Sequence, residues 1–132
     1  MTAFVDTSAL HALIDEDDQH HAAAVRAFGQ FHQRRERLVT HDYVVLEATA
    51  VLQRRIGILA VRRLDAILGP IEVEWVGAEL AGRARSALLA ADRRSLSLVD
   101  WTSFLFMRDR AITIAFTFDP DFADQGFETI PA

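Results

Sequence analysis

Short apolar runs alternate along the chain with longer segments whose apolar residues recur at helical spacing. The short runs predict strands over residues 2–5, 38–40, 71–76, 112–118 and 127–130, the last of them at an edge of the sheet. The fourth run is almost wholly apolar, which is typical of a central parallel strand buried on both faces. Together with the helical segments between them, these runs predict one α/β domain over residues 1–132 with a mostly parallel sheet of four to five strands.

The helix predictions combine apolar spacing with residues that start or end helices. A first helix is expected over about residues 9–14, capped by Ser8 or Thr7, and a second from Asp17 or Asp18 onward. Further helices are expected over residues 42–55, over a segment that ends at Gly69-Pro70, and over residues 78–91 and 96–110. This order places helical segments after each of the first three strands.

The composition narrows the chemistry mainly through what it lacks. All 14 basic residues are arginine, and there is neither lysine nor cysteine, so lysine-dependent mechanisms and thiolate metal sites are excluded. A net charge of −5 argues against indiscriminate coating of nucleic acid. No apolar run approaches the roughly 20 residues of a membrane helix and no signal peptide is recognisable, so we expect a soluble cytoplasmic protein without membrane contact.

Four carboxylates occupy positions that are unusual for purely structural acids. Asp6 and Asp119 directly follow strand-type runs, whereas Glu47 and Asp100 fall within the apolar faces of their helices. If the first and fourth strands are neighbours, their carboxyl ends meet in one crevice, to which the two helices packing over that end contribute the other two acids. Uncompensated buried carboxylates are costly, so such groups pair, change protonation or bind a metal ion.

For any one of these acids, a helix cap or a buried ion pair is the simpler interpretation, but the four together favour a metal site. An all-oxygen, strongly negative pocket suits Mg²⁺ or Mn²⁺. Such ions activate water and stabilise the attacking and leaving oxygens of a phosphodiester. The pattern therefore predicts a site for a hard divalent cation, and phosphodiester hydrolysis is among the reactions that such a site supports.

A family resemblance is carried by four motifs that follow one another along essentially the whole chain. They are Val5-Asp6-Thr7-Ser8-Ala9-Leu10, Glu47 in its helix, Leu96-Ser97-Leu98-Val99-Asp100, and Thr117-Phe118-Asp119-Pro120-Asp121-Phe122 with Gly126-Phe127 after it. Each motif is weak alone, but the ordered set resembles a PIN-domain nuclease, and in particular a VapC-type toxin of a bacterial toxin–antitoxin module.

The resemblance implies a three-layer α/β/α sandwich that forms a homodimer. It implies cleavage of structured RNA, often transfer RNA, with Mg²⁺ as the cofactor and products bearing 5′-phosphate and 3′-hydroxyl ends. A cognate VapB-type antitoxin would inhibit the enzyme by placing its tail in the active-site groove. Two alternatives stay open: a PIN-domain nuclease of RNA processing that is not a toxin, and a catalytically silent PIN-like module that binds RNA or protein.

The resemblance also assigns roles to individual residues. The family's metal-binding acids match Asp6, Glu47, Asp100 and Asp119. Asp121 is placed as an auxiliary ligand. The hydroxyl positions that orient a carboxylate or a water match Thr7, Ser8 and Thr117.

Several other residues have a chemical and an ordinary interpretation. Arginines near Asp100 in sequence are candidates for holding RNA phosphates, although arginine pairs are usually solvated: Arg93, Arg94, Arg108 and Arg110. The histidines are expected at the surface or near caps, with His11 able to approach the site. Trp101 departs from the smaller residue that the family commonly has after the third acid. We expect it to pack in the core or a dimer interface rather than stack on an RNA base.

Other phosphoryl-transfer proteins on similar sheets fit the sequence less well. A response-regulator receiver and a haloacid-dehalogenase-type phosphatase share an Asp after the first strand, but both normally use a lysine, which this chain lacks. The phosphatase pattern also has a second Asp two residues later, where this chain has Ser8. A P-loop enzyme is excluded because no glycine-rich Gly-Lys loop is present.

Overall fold

A five-stranded sheet forms the middle of the molecule in the computed structural model, which describes residues 1–132. The strands are β1 (Thr2–Val5), β2 (Arg37–His41), β3 (Glu72–Glu74), β4 (Ile114–Phe116) and β5 (Glu128–Ile130). Their order across the sheet is β3-β2-β1-β4-β5, and every pairing is parallel. The predicted sheet is confirmed, with β1 and β4 as neighbours and β5 at an edge.

Seven helices cover the sheet. They are α1 (Thr7–Ile14), α2 (His21–Gln33), α3 (Asp42–Arg55), α4 (Ile58–Leu68), α5 (Ala78–Ala91), α6 (Leu98–Asp109) and α7 (Asp121–Asp124). Helix α1 packs against α2, α3 and α4, whereas α5 packs against α6. From β1 to β3 the chain moves toward one edge of the sheet, and from β4 to β5 it moves toward the other edge. Because the crossovers between parallel strands are right-handed, the group around α1 and the pair α5 and α6 lie on opposite faces of the sheet. The three-layer α/β/α sandwich is confirmed.

The predicted starts of the first two helices are wrong, and both errors involve aspartates that bond to nearby backbone. Helix α1 begins at Thr7 because the side chain of Asp6, rather than that of Ser8 or Thr7, accepts the capping hydrogen bond. Helix α2 begins beyond Asp17 and Asp18. Instead of capping it, Asp18 accepts a hydrogen bond from the backbone two residues on, in the turn before the helix. Acidic residues here shape the turn and not the helix start.

Other boundary errors lie in the third strand, which spans Glu72–Glu74 instead of residues 71–76, and in the carboxyl-terminal third of the chain. Helix α6 begins at Leu98, not at residue 96, because Ser97 and Asp100 form a reciprocal capping box at its first turn. The apolar run 112–118 contributes only the three residues of β4 to the sheet. After that strand, Asp119 accepts a hydrogen bond from the backbone N–H of Asp121 and starts the short helix α7, which was not predicted.

The core is built around phenylalanine side chains from the central strands and the helices on the sheet. The largest fully buried side chains include Phe4, Phe104, Phe106, Phe116 and Phe122. Trp101 packs with its ring edge-on to Phe104 at a centroid distance of 5.7 Å, as expected for a core position. None of the seven helices combines the length and the apolar character that a membrane-spanning segment requires. The packed aromatic layer holds the carboxyl ends of β1 and β4 in place.

Candidate metal site in an acidic cleft

An open cleft of about 340 Å³ lies at the carboxyl ends of β1 and β4. The chain leaves β1 toward one edge of the sheet and β4 toward the other, which makes this the topological switch point where α/β proteins bind ligands. Asp6, Glu47, Asp100 and Asp119 all line the cleft. The structure therefore brings together the four carboxylates that the sequence singles out, from β1, α3, α6 and the segment after β4.

Asp6 is the most deeply placed of the four, with only 4% of its surface exposed. Its Oδ2 atom accepts hydrogen bonds from the Ser8 hydroxyl at 2.8 Å and the Thr117 hydroxyl at 2.9 Å. Burial nevertheless raises the pKa of Asp6 from 3.8 to about 6; the Asp100 charge adds to the rise and the two hydroxyls oppose it. A carboxylate in this state is incompletely compensated.

Glu47 and Asp100 reach the cleft from helices on opposite faces of the sheet. Burial raises the pKa of both carboxyls, and the charge of Asp100 contributes to the rise at Glu47. The Thr7 hydroxyl lies near enough to Glu47 to oppose this rise, although no hydrogen bond of normal geometry joins the two side chains. Asp100 is only half-buried, because it sits in the first turn of α6 and not within an inward face as predicted.

Asp119 and Asp121 follow β4 and complete the acidic group. One carboxylate oxygen from each of Asp100, Asp119 and Asp121 lies within 4.8 Å of the others. Burial raises the pKa of Asp121, and the neighbouring charge of Asp119 adds to the rise. Asp121, expected as an auxiliary residue, thus lies close enough to Asp100 and Asp119 to share an ion with them.

Hydroxyl groups connect the ends of the two central strands. The Ser8 hydroxyl accepts a hydrogen bond from the backbone N–H of Phe118 at 2.9 Å, and the Thr117 hydroxyl accepts one from the N–H of Asp119 at 3.0 Å. Since both hydroxyls also donate to Asp6, they hold the two carboxylates at fixed positions relative to each other. Thr7 Oγ1 also lines the cleft but is buried without any partner in the chain.

This donor set fits a hard divalent cation. The available atoms are carboxylate and hydroxyl oxygens, which Mg²⁺ and Mn²⁺ prefer. Three half-buried carboxylates can approach one ion, and the buried Thr7 hydroxyl lies beside Glu47. None of the four cleft acids pairs with an arginine. A bound cation is therefore expected to balance the negative charge of these carboxylates.

The arginines chosen from sequence are distributed differently from the acids. Arg110 lies in a second cavity of about 530 Å³ beside Met1 and Thr2, at the start of β1, and pairs with Glu74. Arg108 donates to Gln125. The structure brings neither of these two arginines to the acidic cleft.

The other two predicted arginines, Arg93 and Arg94, lie in the loop between α5 and α6 and do not line the cleft, although the charge of Arg93 opposes the pKa rise at Asp121.

Several cleft residues were missed by sequence reasoning. Arg55 lines the cleft from the last turn of α3, and Asp18, His20 and Phe118 line it as well. His11 also lines the cleft, as expected from the sequence. The rings of His20 and Phe118 stack at a centroid distance of 4.5 Å. Arg55 had a usable signal, because it follows Glu47 by eight residues and therefore shares its helix face.

Comparison with known proteins agrees with this architecture. The PIN-domain family model matches residues 3–128. The 23S rRNA-specific endonuclease VapC20 of Mycobacterium tuberculosis is 36% identical over 129 residues, which cover 94% of each protein. The crystal structure of that VapC20, a Sarcin-Ricin loop cleaving toxin, superposes with a TM-score of 0.85 at 35% identity over 96% of each chain.

A more distant likeness concerns the fold alone. The structure of VapBC2 from Rickettsia felis bound to a DNA fragment from their promoter superposes with a TM-score of 0.67 at 12% identity, covering 98% of this chain and 97% of that chain. The family model spans almost the whole chain, and the VapC20 relative matches it at more than a third of positions. The chain therefore belongs to the PIN-domain family, among its VapC-type members.

Proposed function

We propose that the protein is a metal-dependent endoribonuclease and the toxin of a VapBC-type toxin–antitoxin pair. The observation that carries the proposal is the meeting of four carboxylates, without a paired arginine, at the switch point of a PIN fold. The similarity to VapC20 supports the reaction and the toxin role. Mg²⁺ is the proposed cofactor, and Mn²⁺ is expected to substitute for it.

Asp6, Asp100 and Asp119 would hold the cation, with Asp121 as an additional ligand. When bound, the cation supplies charge stabilisation at the attacking and leaving oxygens of the phosphodiester. The hydrogen bonds from Ser8 and Thr117 both end on Oδ2 of Asp6 and leave its Oδ1 free of them. Their role is to fix which carboxylate oxygen of Asp6 is available in the cleft.

Glu47 approaches from the opposite wall and is proposed to position the attacking water and accept its proton. Its raised pKa makes it a better base than an exposed glutamate. The buried Thr7 hydroxyl beside it is proposed to orient the Glu47 carboxylate. The water oxygen forms a new bond to phosphorus while the bond from phosphorus to the 3′ oxygen breaks. The proton that Glu47 accepts returns through solvent to the leaving 3′ oxygen, giving 5′-phosphate and 3′-hydroxyl ends.

Large-subunit ribosomal RNA is the substrate we propose, because VapC20 is described as 23S rRNA-specific and as cleaving the Sarcin-Ricin loop. Transfer RNA is the competing substrate within the family. The test is incubation of purified protein with a hairpin of the Sarcin-Ricin loop and with transfer RNA, in Mg²⁺ and in EDTA. We expect cleavage of the hairpin in Mg²⁺ only, and faster than any cleavage of transfer RNA.

Two variants make this assay specific to the cleft. Asp6→Asn should abolish cleavage, whereas Asp65→Asn, which changes an exposed acid in the carboxyl-terminal half of α4, should leave it unchanged. Equal cleavage by Asp6→Asn and wild type would refute the proposed site. Absence of cleavage by the wild-type protein on any RNA, with retained RNA binding, would favour a silent binding module.

The toxin role needs a cellular test. Expression of the wild-type chain in the cytoplasm of a bacterial host is expected to arrest growth of the cells. Co-expression of the small protein encoded beside it, the proposed VapB-type antitoxin, should restore growth. Asp6→Asn should be harmless at equal protein level. An active nuclease that leaves growth unaffected would instead be an RNA-processing enzyme.

We also propose a homodimer. Several large apolar side chains are exposed on the single chain, among them Ile56, Ile58 and Leu59 at the junction of α3 and α4. Exposed apolar surface of this kind is often covered in an assembly. Light scattering after size-exclusion chromatography should give twice the mass of one chain, and the mass of one chain would contradict the proposal.

A further inference from the structure

Arg55 is the one arginine that lines the acidic cleft. We propose that Arg55 binds an RNA phosphate beside the one that is cleaved, and so positions the substrate for the reaction. The inference rests on the proposed nuclease function and assigns a substrate-binding residue to the same cleft. RNA is a polyanion, so a groove lined by five acids needs a local positive charge to hold it.

The position of Arg55 follows from the geometry of α3. Glu47, Val51 and Arg55 are spaced by four residues, and all three line the cleft from one face of this helix. At a rise of 1.5 Å per residue, the backbone of Arg55 lies about 12 Å from that of Glu47. No carboxylate of the cleft forms an ion pair with the Arg55 guanidinium, which therefore stands apart from these acids and suits the phosphate of a neighbouring nucleotide better than the phosphate that reacts.

Arg55 is also free to bind an anion. It forms no ion pair and no side-chain hydrogen bond within the chain, whereas Arg37, Arg83 and Arg110 are engaged by carboxylates. A guanidinium presents a planar fork of donors that matches phosphate oxygens. Its side chain is exposed, so binding a phosphate requires no other contact to break.

The competing explanation is that Arg55 only stabilises the carboxyl-terminal end of α3 through the helix dipole. Arg54 is also exposed and lies in the same last turn, but it does not line the cleft. If only the helix dipole matters, substitutions of Arg54 and Arg55 should have the same effect, whereas phosphate binding predicts an effect at Arg55 alone. Arg54→Gln is therefore the matched control.

The test measures binding of the Sarcin-Ricin hairpin by fluorescence anisotropy across a series of salt concentrations in Mg²⁺, with Asp6→Asn as the background to prevent cleavage. We expect Arg55→Gln to weaken binding about tenfold at low salt and to reduce the slope of log K against log salt by about 0.7 to 1. Arg55→Lys should restore the slope, and Arg54→Gln should change neither quantity. In the cleavage assay, Arg55→Gln with Asp6 intact should raise KM more than it lowers kcat.

The outcomes separate the inference from the function on which it rests. If the wild-type protein cleaves RNA but Arg55→Gln and Arg54→Gln share one salt slope, Arg55 does not bind phosphate and the inference is wrong. Weaker binding by Arg55→Gln at an unchanged slope would assign it a structural role and would overturn the inference as well. If the wild-type protein neither cleaves nor binds RNA, the proposed function fails and the inference fails with it.

Discussion

Asp6→Asn is expected to stabilise the metal-free protein at neutral pH, although it should abolish activity. Burial raises the pKa of Asp6 from 3.8 to about 6, so the folded chain holds this proton to a higher pH than the unfolded chain. A difference of about 2 units between the two pKa values corresponds to about 3 kcal/mol of lost stability once the carboxyl is ionised in both states. Ionised Asp6 therefore lowers the free energy of unfolding, and a cation bound beside it is expected to offset this loss.

The pH dependence has a definite sign. The contribution of Asp6 to stability is largest below pH 3.8, falls as the pH rises toward 6, and stays low above that. His41 acts in the opposite direction, because burial lowers its pKa from 6.5 to about 4 and its contribution is lost as the pH falls through that interval. The two effects largely offset each other between pH 4 and 6, so only the difference between wild type and Asp6→Asn isolates Asp6.

The expected gain is smaller than the full electrostatic figure. Replacing the carboxylate weakens its hydrogen bonds with Ser8 and Thr117, at a cost of about 1 kcal/mol. Asp6→Asn should therefore be more stable than wild type by about 2 kcal/mol at pH 7.5 in EDTA, or roughly 8 °C in Tm. At pH 4 the advantage should disappear, because Asp6 is then protonated in the folded wild-type protein.

Urea unfolding followed by circular dichroism at pH 4 and pH 7.5 measures both values, with Asp65→Asn as the control that should match wild type. Millimolar Mn²⁺ should stabilise wild type more than Asp6→Asn and reduce or reverse their order at pH 7.5, because a ligand stabilises only the form that binds it. If Asp6→Asn gains nothing over wild type at pH 7.5 in EDTA, the carboxylate is compensated within the chain. Asp6 would then carry no uncompensated charge for a cation to balance.

Three further substitutions test separate parts of the site. Thr117→Val removes the hydroxyl that bridges Asp6 and the segment after β4, and should cost about 2 kcal/mol in urea unfolding at pH 7.5; a loss below about 0.5 kcal/mol would contradict that bridge. Ser97→Ala removes the cap of α6 and should cost about 1 kcal/mol while leaving cleavage at 25 °C nearly unchanged, since the backbone N–H that holds Asp100 remains. Glu47→Gln should lower kcat at least 100-fold because it removes the proposed base, while the affinity for Mn²⁺ should stay within about threefold of wild type. A parallel loss of Mn²⁺ affinity would make Glu47 a metal ligand instead.

The arrangement of the strands and the four acids was predictable because both follow from local patterns that the fold preserves. Apolar runs marked the strands, and the carboxyl ends of adjacent parallel strands necessarily meet at one edge. Asp6 and Asp119 were therefore placed together correctly as soon as β1 and β4 were assumed to be neighbours. Element boundaries were less accessible, because hydrogen bonds of Asp6 and Ser97 decided the helix starts and such bonds are not visible in apolar spacing.

The placement of the arginines was not predictable from closeness in sequence. Arg108 and Arg110 follow Asp100 closely in sequence, but α6 has 12 residues and so extends for about 18 Å. Its two ends lie at opposite ends of the sheet, which carries Arg110 to the cavity beside Met1. Arg55 lies beside the cleft although it is 45 positions away from Asp100, because α3 presents one face to it. Helix periodicity was the better guide.

The four acids do not carry equal information about function. Asp6 caps α1, Asp100 belongs to the capping box of α6, and Asp119 accepts a hydrogen bond at the start of α7. Each aspartate therefore has a local structural reason to be where it is, since helix starts favour acidic side chains. Glu47 lies in the middle of α3, is half-buried, caps nothing and pairs with no arginine. A chain that kept the three aspartates but lost this glutamate would keep its helix starts. Of the four acids, Glu47 is therefore the one whose presence is explained by catalysis and not by a role in folding.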